Sequence, residues 1–463
     1  MTDRATAPHP LSERTTHTVP RNPLPALHIR PDHGWLNDPN GMVHHGGRWH
    51  VFFQHNPQRP VHERIAWGHV SSADLVGWDP HPVAFAPEPG GPDRAGCWSG
   101  VFLPWLDRPA MAYSGVVDDT HASTVVVREA LDDDLDTWTP PYVVATTPPD
   151  VTQMRDPFCF ERAGRRFALL GARVGHATPA VLLFSCDDPR DWRYEGVWLT
   201  GENPVAATLP ESDFWECPQL VELGGRSVLV LSLQLEGRLS TVGLLVGDLT
   251  DAASGDGLPR FEPAAAGLLD EGPSCYAPQV ALDPDGPWLH GWVLDVGRPD
   301  APAPAVSGCL TLPRRLHLVG DAVVSRVDDR LRAYVGGQPS TPVTGAQLAA
   351  GVDLPLVARV TGAGTDPTTT LTLRGAERDV EIHVGATGFE VWVDADVVEV
   401  YRETLPPVTV RQPGTAGWRL RATGASGLGA SACVSDATIT EVVPPTPAAP
   451  AATPGAAGAA RGR

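Results

Sequence analysis

The 463-residue chain contains no lysine, so every basic side chain other than histidine is arginine. Without a lysine amine the protein cannot form a Schiff base with a carbonyl substrate or with pyridoxal phosphate, and that class of enzyme is excluded. The formal net charge is −20 at neutral pH. Because nucleic acids and anionic membrane surfaces are bound by basic patches, neither is expected as a partner.

Clustered cysteines are also missing. The seven cysteines are scattered along the chain and none forms a C-x-x-C pair, so zinc-ribbon and thioredoxin-type sites are not predicted. An odd, unclustered set is typical of reduced thiols in a cytosol. Cys217, beside Glu216, can be interpreted as a nucleophile, but a small packing thiol is the commoner role for such a residue.

Long apolar stretches are absent as well. No apolar run approaches the ~20 residues that a membrane-spanning helix needs. The polar N-terminal segment lacks the apolar centre of a secretory signal. We therefore expect a cytoplasmic protein without a membrane partner, and the sequence leaves its oligomeric state open.

The chain contains five similar short segments at regular spacing. In each segment a polar side chain of a kind common in active sites lies close to a proline or a glycine. The segments are Asn37–Asn40, Trp98–Gly100, Arg155–Pro157, Glu216–Pro218 and Tyr276–Pro278. The steps between Asp38, Ser99, Asp156, Glu216 and Tyr276 are 61, 57, 60 and 60 residues. A short apolar strand follows each segment, and helical periodicity is nearly absent. This fixed period predicts an all-β fold that begins with a five-bladed β-propeller, one blade per repeat.

The same patterns divide the chain into domains. Residues 1–25 are polar and proline-rich, and disorder is expected there. The repeat predicts a propeller over residues 26–320, and apolar side chains three or four apart predict a linker with a short helix over residues 321–337. Regularly spaced strand-like runs predict a β-sandwich over residues 338–443. The low-complexity residues 444–463 are expected to form a flexible tail.

Three of the repeated positions are acidic. The inner strands of propeller blades meet at one end of the fold, so Asp38, Asp156 and Glu216 are expected to point toward one axis. Hydrolysis of a glycosidic bond uses two carboxyl groups, which lie about 5–5.5 Å apart in retaining enzymes. The amide-rich surroundings of Asp38 favour an ionised nucleophile, and the aromatic and thiol neighbours of Glu216 favour a protonated acid. Asp156 is then a third carboxylate that grips substrate hydroxyls.

The segment that contains Asp38 reads HIRPDHGWLNDPNGMVHHGGRWHVFFQHNP from residue 28. It resembles the opening of glycoside hydrolase family 32, the β-fructofuranosidases, which include invertases, inulinases and levanases. The family's WMNDPNG, RDP and EC(P) boxes match Trp35–Gly41, Arg155–Pro157 and Glu216–Pro218. The resemblance is strong from residue 26 to residue 320 and continues weakly into the sandwich.

This resemblance implies a propeller joined to a β-sandwich and a retaining double displacement that needs no metal and no other cofactor. It implies that Asp38 attacks the anomeric carbon of a fructosyl unit, that Glu216 protonates the leaving oxygen and then activates water, and that Asp156 binds fructose hydroxyls. Eight further residues are implied to contact the fructosyl unit: Trp35, Asn37, Gln54, Trp67, Trp98, Ser99, Arg155 and Tyr276. The implied substrate is a small carbohydrate, either sucrose or a short fructo-oligosaccharide, from which fructose is released.

Other functions stay open at this stage. A fructosyltransferase would use the same covalent intermediate but pass it to a sugar, and a pentose-specific hydrolase of the related arabinanase-like propellers would also use three carboxylates. A sugar-binding propeller without turnover would not need both Asp38 and Glu216. The preference among sucrose, a 6-phosphorylated sucrose and fructans also stays open. None of the sixteen histidines lies in an H-E-x-x-H or similar pattern, so no catalytic metal is predicted.

Overall fold

The computed structural model of the chain describes residues 24–446, apart from residues 119, 121, 252–256, 295–305, 416 and 425–432. The predicted disordered segment 1–25 and the predicted tail 444–463 therefore fall almost entirely outside the described residues. Strands dominate the described part, and its helices are short. None of the described helices is long and apolar enough to cross a membrane.

In the described residues, five sheets of mainly antiparallel strands follow one another between Gly34 and Val327, which confirms the predicted propeller. Blade one contains β1 (Gly34–His45), β2 (Arg48–Asn56), β3 (Ala66–Ser72) and β4 (Asp79–Pro80). Blade two contains β5 (Gly96–Leu103), β6 (Ala110–Val116), β7 (Ser123–Glu129) and β8 (Tyr142–Thr146). Blade three contains β9 (Val151–Arg162), β10 (Arg165–Val174), β11 (Thr178–Ser185) and β12 (Arg193–Thr200).

Blade four follows a single 3₁₀ turn at Ala206–Thr208 and contains β13 (Phe214–Leu223), β14 (Arg226–Leu235), β15 (Arg238–Asp251) and β16 (Pro259–Leu268). Blade five begins with β17 (Cys275–Asp283) and β18 (Gly286–Val293). The short β19 (Val306–Ser307) then leaves blade five and pairs in parallel with β1 of blade one. Blade five is completed by β20 (Cys309–Leu310), β21 (Arg314–Val319) and β22 (Ala322–Val327).

The first strands of the five blades form the inner ring of the propeller. β1, β5, β9, β13 and β17 each contact the first strand of the next blade, and β17 contacts β1 again. Together with the β1–β19 pairing, this contact closes the ring between blade five and blade one. The five repeated segments all lie on these inner strands, so the closed ring brings them to one place.

The apolar cores of the propeller lie between neighbouring blades. Between blades one and two, for example, Trp67 and Phe52 are completely buried, and the Trp67 ring lies 5.6 Å from the ring of Tyr113. Successive residues of a strand point to opposite faces of the sheet, and each blade has a neighbour on both faces. Many blade strands are therefore apolar on both sides, and this packing holds the inner strands in place.

The predicted linker is only partly helical. Residues 322–327 form β22, the outer strand of blade five, and the helix α1 occupies Asp329–Gly336. The β-branched Val323 and Val324 favour a strand, and pairing with β21 satisfies their backbone groups. The side chain of Asp328 caps α1 by accepting a hydrogen bond from the Arg330 amide at 2.9 Å.

The C-terminal region folds into two packed sheets, as the predicted β-sandwich requires. The six-stranded sheet has the order β23 (Ser340–Val343), β32 (Ala437–Glu441), β25 (Val357–Ala363), β28 (Gly388–Asp394), β29 (Val397–Arg402) and β30 (Val408–Arg411). The four-stranded sheet has the order β24 (Val352–Asp353), β31 (Arg419–Thr423), β26 (Thr370–Arg374) and β27 (Asp379–His383). The short helix α2 (Gly345–Ala350) joins β23 to β24.

A buried ionic network joins the propeller to the sandwich. The guanidinium of Arg314, on β21, is completely buried and donates to Glu399 Oε2 at 2.7 Å and to Asp270 Oδ2 at 2.8 Å. On the other side of Glu399, His28 Nε2 lies 3.0 Å from Oε1, and His28 Nδ1 lies 2.7 Å from Asp394 Oδ2. Because each buried charge has an opposite partner, the two domains are held in one arrangement.

Candidate active site

A β-bulge interrupts the first strand of every blade at the repeated segment. In each blade two residues of the first strand lie opposite one residue of the second strand. A bulge of this kind bends a strand and redirects its side chains. The bulged pairs are Asn37–Asp38, Trp98–Ser99, Asp156–Pro157, Cys217–Pro218 and Ala277–Pro278.

The strand register corrects one sequence-based prediction, that the three acidic residues occupy equivalent positions. Asp156 is the first residue of its bulge, Asp38 is the second residue of its bulge, and Glu216 precedes its bulge. Spacing along the sequence counts the residues of turns together with those of strands, so turns of unequal length shift the apparent register. The carboxylates therefore occupy three successive strand positions, and they still reach one cavity.

Asp38 is held by donors from two blades and is only 9% exposed. Its Oδ2 accepts hydrogen bonds from the Ser99 hydroxyl and from Gln54 Nε2, the latter at 3.1 Å, and its Oδ1 accepts from Asn37 Nδ2 at 3.1 Å. Burial nevertheless raises the pKa of Asp38 to about 6, because desolvation outweighs the Ser99 bond and the charge of Glu216 adds to it. A carboxyl group with a pKa of about 6 is still mostly ionised at neutral pH, which agrees with the predicted ionised nucleophile.

Asp156 lies next to Asp38 across a shared thiol. Its backbone N–H donates to the Ser114 hydroxyl at 2.7 Å, and its φ of +63° places it in a strained left-handed conformation. Cys217 Sγ lies 3.6 Å from Asp156 Oδ2 and 3.8 Å from Asp38 Oδ2. Burial raises the pKa of Asp156, although the charge of Arg155 opposes this shift.

The thiol of Cys217 lies between two acidic groups and is buried. Burial, reinforced by the charges of Asp156 and Asp38, raises its pKa well above the ordinary value. Because the thiolate is the nucleophilic form of cysteine, this environment works against a nucleophilic role. The thiol instead packs between the two carboxylates.

Glu216 lines the same cavity, and its carboxylate is held by polar partners. Its Oε1 accepts hydrogen bonds from Arg155 Nε at 3.0 Å and Nη2 at 2.8 Å, and its Oε2 accepts one from the Tyr276 hydroxyl at 2.6 Å. The predicted aromatic surroundings are present only in part, because the ring of Phe214, on the same face of β13, lies 3.9 Å from the guanidinium carbon of Arg155, which binds Glu216, while Trp215 does not contribute. Trp215, the neighbour in sequence, points to the other face of β13 and lies in the core between blades three and four, because successive strand residues face opposite ways.

The other predicted contact residues separate into two groups. Seven of the eight line the same cavity as the carboxylates: Trp35, Asn37, Gln54, Trp98, Ser99, Arg155 and Tyr276. Trp67 is not among the described residues that line it, since its ring is completely buried between blades one and two and its Nε1 donates to the Trp98 carbonyl at 3.2 Å. Trp67 therefore supports the strand that carries Trp98 and does not face the cavity.

The cavity has a volume of about 420 Å³ and includes eight residues that the sequence analysis did not assign to substrate binding or catalysis, although it considered Cys217 as a nucleophile. These additional residues are His62, Gln153, Arg173, Cys217, Gln234, Gly237, Leu239 and Trp292. Arg173 and Gln234 lie at the ends of the second strands of blades three and four, which reach the same end of the propeller as the bulges. That topological rule could have identified them from the sequence, whereas His62 lies in a connecting loop that no pattern marks.

Residues 28–327 match the family model described as the glycosyl hydrolases family 32 N-terminal domain. The chain belongs to glycoside hydrolase family 32. The match covers the whole propeller, including the three carboxylates and the bulges that carry them. Membership of family 32, implied above by three short boxes, thus rests on the full length of the catalytic domain.

Curated relatives of this family 32 protein include bacterial enzymes named sucrose-6-phosphate hydrolase and raffinose invertase. The chain is 32% identical over 324 residues to a sucrose-6-phosphate hydrolase of Bacillus subtilis (strain 168), a match that covers 66% of this chain and 65% of the relative. It is 31% identical over 311 residues to a raffinose invertase of Escherichia coli, covering 63% of this chain and 62% of the relative. The matched region thus spans somewhat less than two thirds of the length of each of these relatives.

Solved structures of family 32 enzymes share the complete two-domain fold. A β-fructofuranosidase of Bombyx mori has a TM-score of 0.74 at 21% identity, covering 90% of this chain and 94% of that one. A sucrose-6-phosphate hydrolase of Lactobacillus gasseri has a TM-score of 0.72 at 21% identity, covering 90% and 93%. Because both matches extend over the sandwich as well, they confirm the arrangement of a propeller followed by a β-sandwich.

Proposed function

We propose that this protein is a retaining glycoside hydrolase that releases fructose from sucrose or short β-fructosides. The observation that carries the proposal is the convergence of Asp38, Asp156 and Glu216 in one cavity of about 420 Å³ that also holds aromatic side chains. Two indole rings, those of Trp35 and Trp98, offer apolar faces beside the acids. A polar floor with aromatic walls suits a small sugar, whose hydroxyls need hydrogen bonds and whose ring faces are apolar.

In the first step Asp38 attacks the anomeric carbon of the fructosyl unit. A covalent bond forms between a carboxylate oxygen and that carbon while the bond from the carbon to the leaving oxygen breaks, and Glu216 gives its proton to the leaving oxygen. In the second step Glu216 removes a proton from water, the water oxygen bonds to the anomeric carbon, and the ester to Asp38 breaks. The donors from Ser99, Gln54 and Asn37 fix the carboxylate of Asp38 for both steps.

Asp156 is proposed to bind two hydroxyls of the fructosyl ring. Its carboxylate shares the Cys217 thiol with Asp38, so it lies beside the nucleophile and can grip the same sugar unit. Negative charge near the ring also stabilises the positively charged, oxocarbenium-like transition state. Arg155 and Tyr276 hold the carboxylate of Glu216, and we propose that they orient it toward the leaving oxygen.

The substrate's leaving group is the open part of the proposal. The Bacillus subtilis and Lactobacillus gasseri relatives are named for hydrolysis of sucrose 6-phosphate, and the Escherichia coli relative is named an invertase of raffinose. In this chain Arg173 lines the cavity, but its Nη2 forms an ion pair with Asp213 Oδ2 at 2.9 Å. Because Asp213 already neutralises this arginine, we favour unphosphorylated sucrose over its 6-phosphate.

The test is fructose release by the purified protein from sucrose, sucrose 6-phosphate, raffinose, 1-kestose and inulin, with Asp38→Asn and Glu216→Gln as controls of nearly unchanged size. Fructose release by the wild type that each of the two substitutions abolishes on its own supports the hydrolase. Higher oligosaccharides accumulating at high sucrose concentration would instead favour the alternative, a fructosyltransferase with the same intermediate. Binding of sucrose without turnover by a folded protein would leave the second alternative, a sugar-binding propeller. The cytoplasmic location stays a prediction that cell fractionation can test.

A further inference from the structure

A second cluster of ionisable side chains lies between blades one and two, away from the cavity. His69 is on β3, His81 follows β4, and Asp136 lies in the turn between β7 and β8. One potential ligand atom from each side chain lies within 4.8 Å of the others. The two histidines belong to blade one and the aspartate to blade two, so the cluster bridges neighbouring blades. None of the three lines the candidate active site.

The ligand atoms of the cluster lie close together, at hydrogen-bond distances slightly shorter than those between the ligands of a bound ion. The Nδ1 atoms of His69 and His81 lie 3.2 Å and 2.8 Å from the same carboxylate oxygen, Asp136 Oδ1. Two nitrogen or oxygen ligands bound at about 2.0–2.1 Å to a tetrahedral ion lie roughly 3.3 Å apart. The two imidazole rings are stacked, with centroids 4.0 Å apart, so both Nδ1 atoms face the aspartate from one side. To admit an ion, His81 Nδ1 and Asp136 Oδ1 would move apart by about 0.5 Å, and the stacked rings would turn so that both Nδ1 lone pairs point at the ion.

The outer nitrogens of both rings already have partners that fix ring orientation. His69 Nε2 lies 3.0 Å from Nδ1 of His50, and His81 Nε2 lies 2.8 Å from the Ser71 hydroxyl. Metal-bound histidines typically donate their remaining ring N–H to a partner of this kind, which selects the tautomer and the ring angle. Phe52 also stacks on the ring of His69 with centroids 4.1 Å apart. The supporting interactions of a metal site are thus in place.

We propose that His69, His81 and Asp136 form a non-catalytic binding site for a divalent transition-metal ion such as Zn²⁺, which ties blade one to blade two. Two imidazoles and one carboxylate suit Zn²⁺, whereas Mg²⁺ and Ca²⁺ prefer oxygen ligands. The His69 side chain is completely buried, but those of His81 and Asp136 are 18% and 29% exposed. Solvent therefore reaches the outer side of the cluster, where an ion can enter and water can complete its coordination.

Calorimetric titration with Zn²⁺ tests the proposal on tag-free protein that has been dialysed against EDTA. The wild type is compared with His81→Ala, with Asp136→Asn, which keeps the side chain's size, and with His383→Ala, an exposed histidine of the sandwich that serves as control. We expect one equivalent of Zn²⁺ per chain for the wild type and the control. Each cluster variant should bind at least about tenfold more weakly. Zn²⁺ should also raise the melting temperature of the wild type but not of His81→Ala.

The active-site carboxylates could also attract Zn²⁺, and the variants separate this possibility from the proposal. If His81→Ala binds Zn²⁺ as tightly as the wild type, the ion is held elsewhere and the proposal fails. It also fails if the folded wild type binds no Zn²⁺ at micromolar concentrations. If circular dichroism shows that His81→Ala is unfolded, the same comparison with Asp136→Asn decides. Fructose release should not change when Zn²⁺ is removed with EDTA, so this test is independent of the proposed hydrolase activity.

Discussion

Replacing Ser99 with alanine should make the proposed nucleophile less acidic. The substitution removes the hydroxyl that donates to Oδ2 of Asp38 and leaves the Gln54 amide in place at 3.1 Å. Burial already raises the pKa of Asp38 to about 6, and the Ser99 bond is the strongest interaction that opposes this rise. Without that bond the charged form is less stable, so the pKa of Asp38 must rise further.

The size of the effect follows from the strength of the bond. A hydrogen bond to a charged group is worth about 1.5–3 kcal/mol, and about 1.4 kcal/mol corresponds to one pKa unit. Asp38 is almost completely buried, so solvent replaces little of the lost interaction. The Gln54 amide, which also donates to the Ser99 hydroxyl at 2.6 Å, can turn fully to Asp38 and recover part of the loss. We therefore expect an upward shift of about one pKa unit, the lower end of this range.

The assay is the pH dependence of kcat/KM for sucrose, which reports on the free enzyme. A carboxylate nucleophile must be ionised, so activity falls as the pH drops through the pKa of Asp38. In the wild type, activity should fall on the acid side as Asp38, with a pKa of about 6, and its neighbour Asp156, with a pKa of about 7, become protonated. In Ser99→Ala this fall should begin at a higher pH, by up to about one unit. The readout is the acid limb of the profile, that is, the pH at which kcat/KM falls on the acid side. A change in maximal activity therefore does not affect the interpretation.

Two further variants serve as controls. Ser99→Thr restores a hydroxyl and should return the limb toward its wild-type position. Ser232→Ala removes a buried hydroxyl on β14, opposite Glu216 in the strand ladder, that has no hydrogen-bond partner among the described residues, and it should leave the limb unchanged. If Ser99→Ala keeps the wild-type limb, the ionisation of Asp38 does not limit activity and the reasoning is refuted.

Three other predictions concern stability. Arg314→Met leaves the carboxylates of Glu399 and Asp270 buried without their arginine partner. Denaturant unfolding should show that the free energy of unfolding falls by about 3–5 kcal/mol. A fall of less than about 1 kcal/mol would contradict the stabilising role of the network. Burial lowers the pKa of His28, but the hydrogen bonds to Asp394 and Glu399 outweigh burial and raise this pKa from 6.5 to about 9. The stability that protonated His28 contributes is therefore fully present below pH 6.5 and is lost as the pH rises through 9. The stability deficit of His28→Gln relative to the wild type should therefore shrink between these two pH values, and a constant deficit would argue against the shift. Trp67→Ala should cost about 3–5 kcal/mol of stability in denaturant unfolding, because its ring is completely buried between two blades. A loss below about 1 kcal/mol would contradict this packing role.

The architecture could be predicted from the sequence because its signal repeats. Five short segments at nearly constant spacing, each followed by an apolar strand, define the blades without knowledge of any long-range contact. The sandwich was likewise predictable from its regular strand spacing. The boundary between β22 and α1 was not predictable from the sequence. Val327, Leu331 and Val335 are four residues apart, as in a helix, although Val327 belongs to the strand. Only the pairing of β22 with β21 shows where the helix begins.

The members of the site were easier to predict than their environments. Seven of the eight predicted contact residues line the cavity, but the polar setting of Glu216 and the raised pKa of Asp38 did not follow from neighbours in sequence. A residue next to another in a strand faces the opposite side, whereas Arg155 and Tyr276 reach Glu216 from neighbouring blades. Trp67 was expected in the cavity because the family resemblance implies a contact there, whereas the packing of two blades places it in the core.

The central claim is that Asp38 becomes covalently linked to a fructosyl unit. The most direct measurement is intact-protein and peptide mass spectrometry of the Glu216→Gln variant after reaction with a fructoside whose leaving group needs no proton, such as fructosyl fluoride. The account predicts an added mass of one hexosyl unit on the peptide that contains Asp38, and no adduct when Asp38→Asn is combined with Glu216→Gln. An adduct on another residue, or turnover of the activated fructoside by the Asp38→Asn protein at the rate of the wild type, would contradict it.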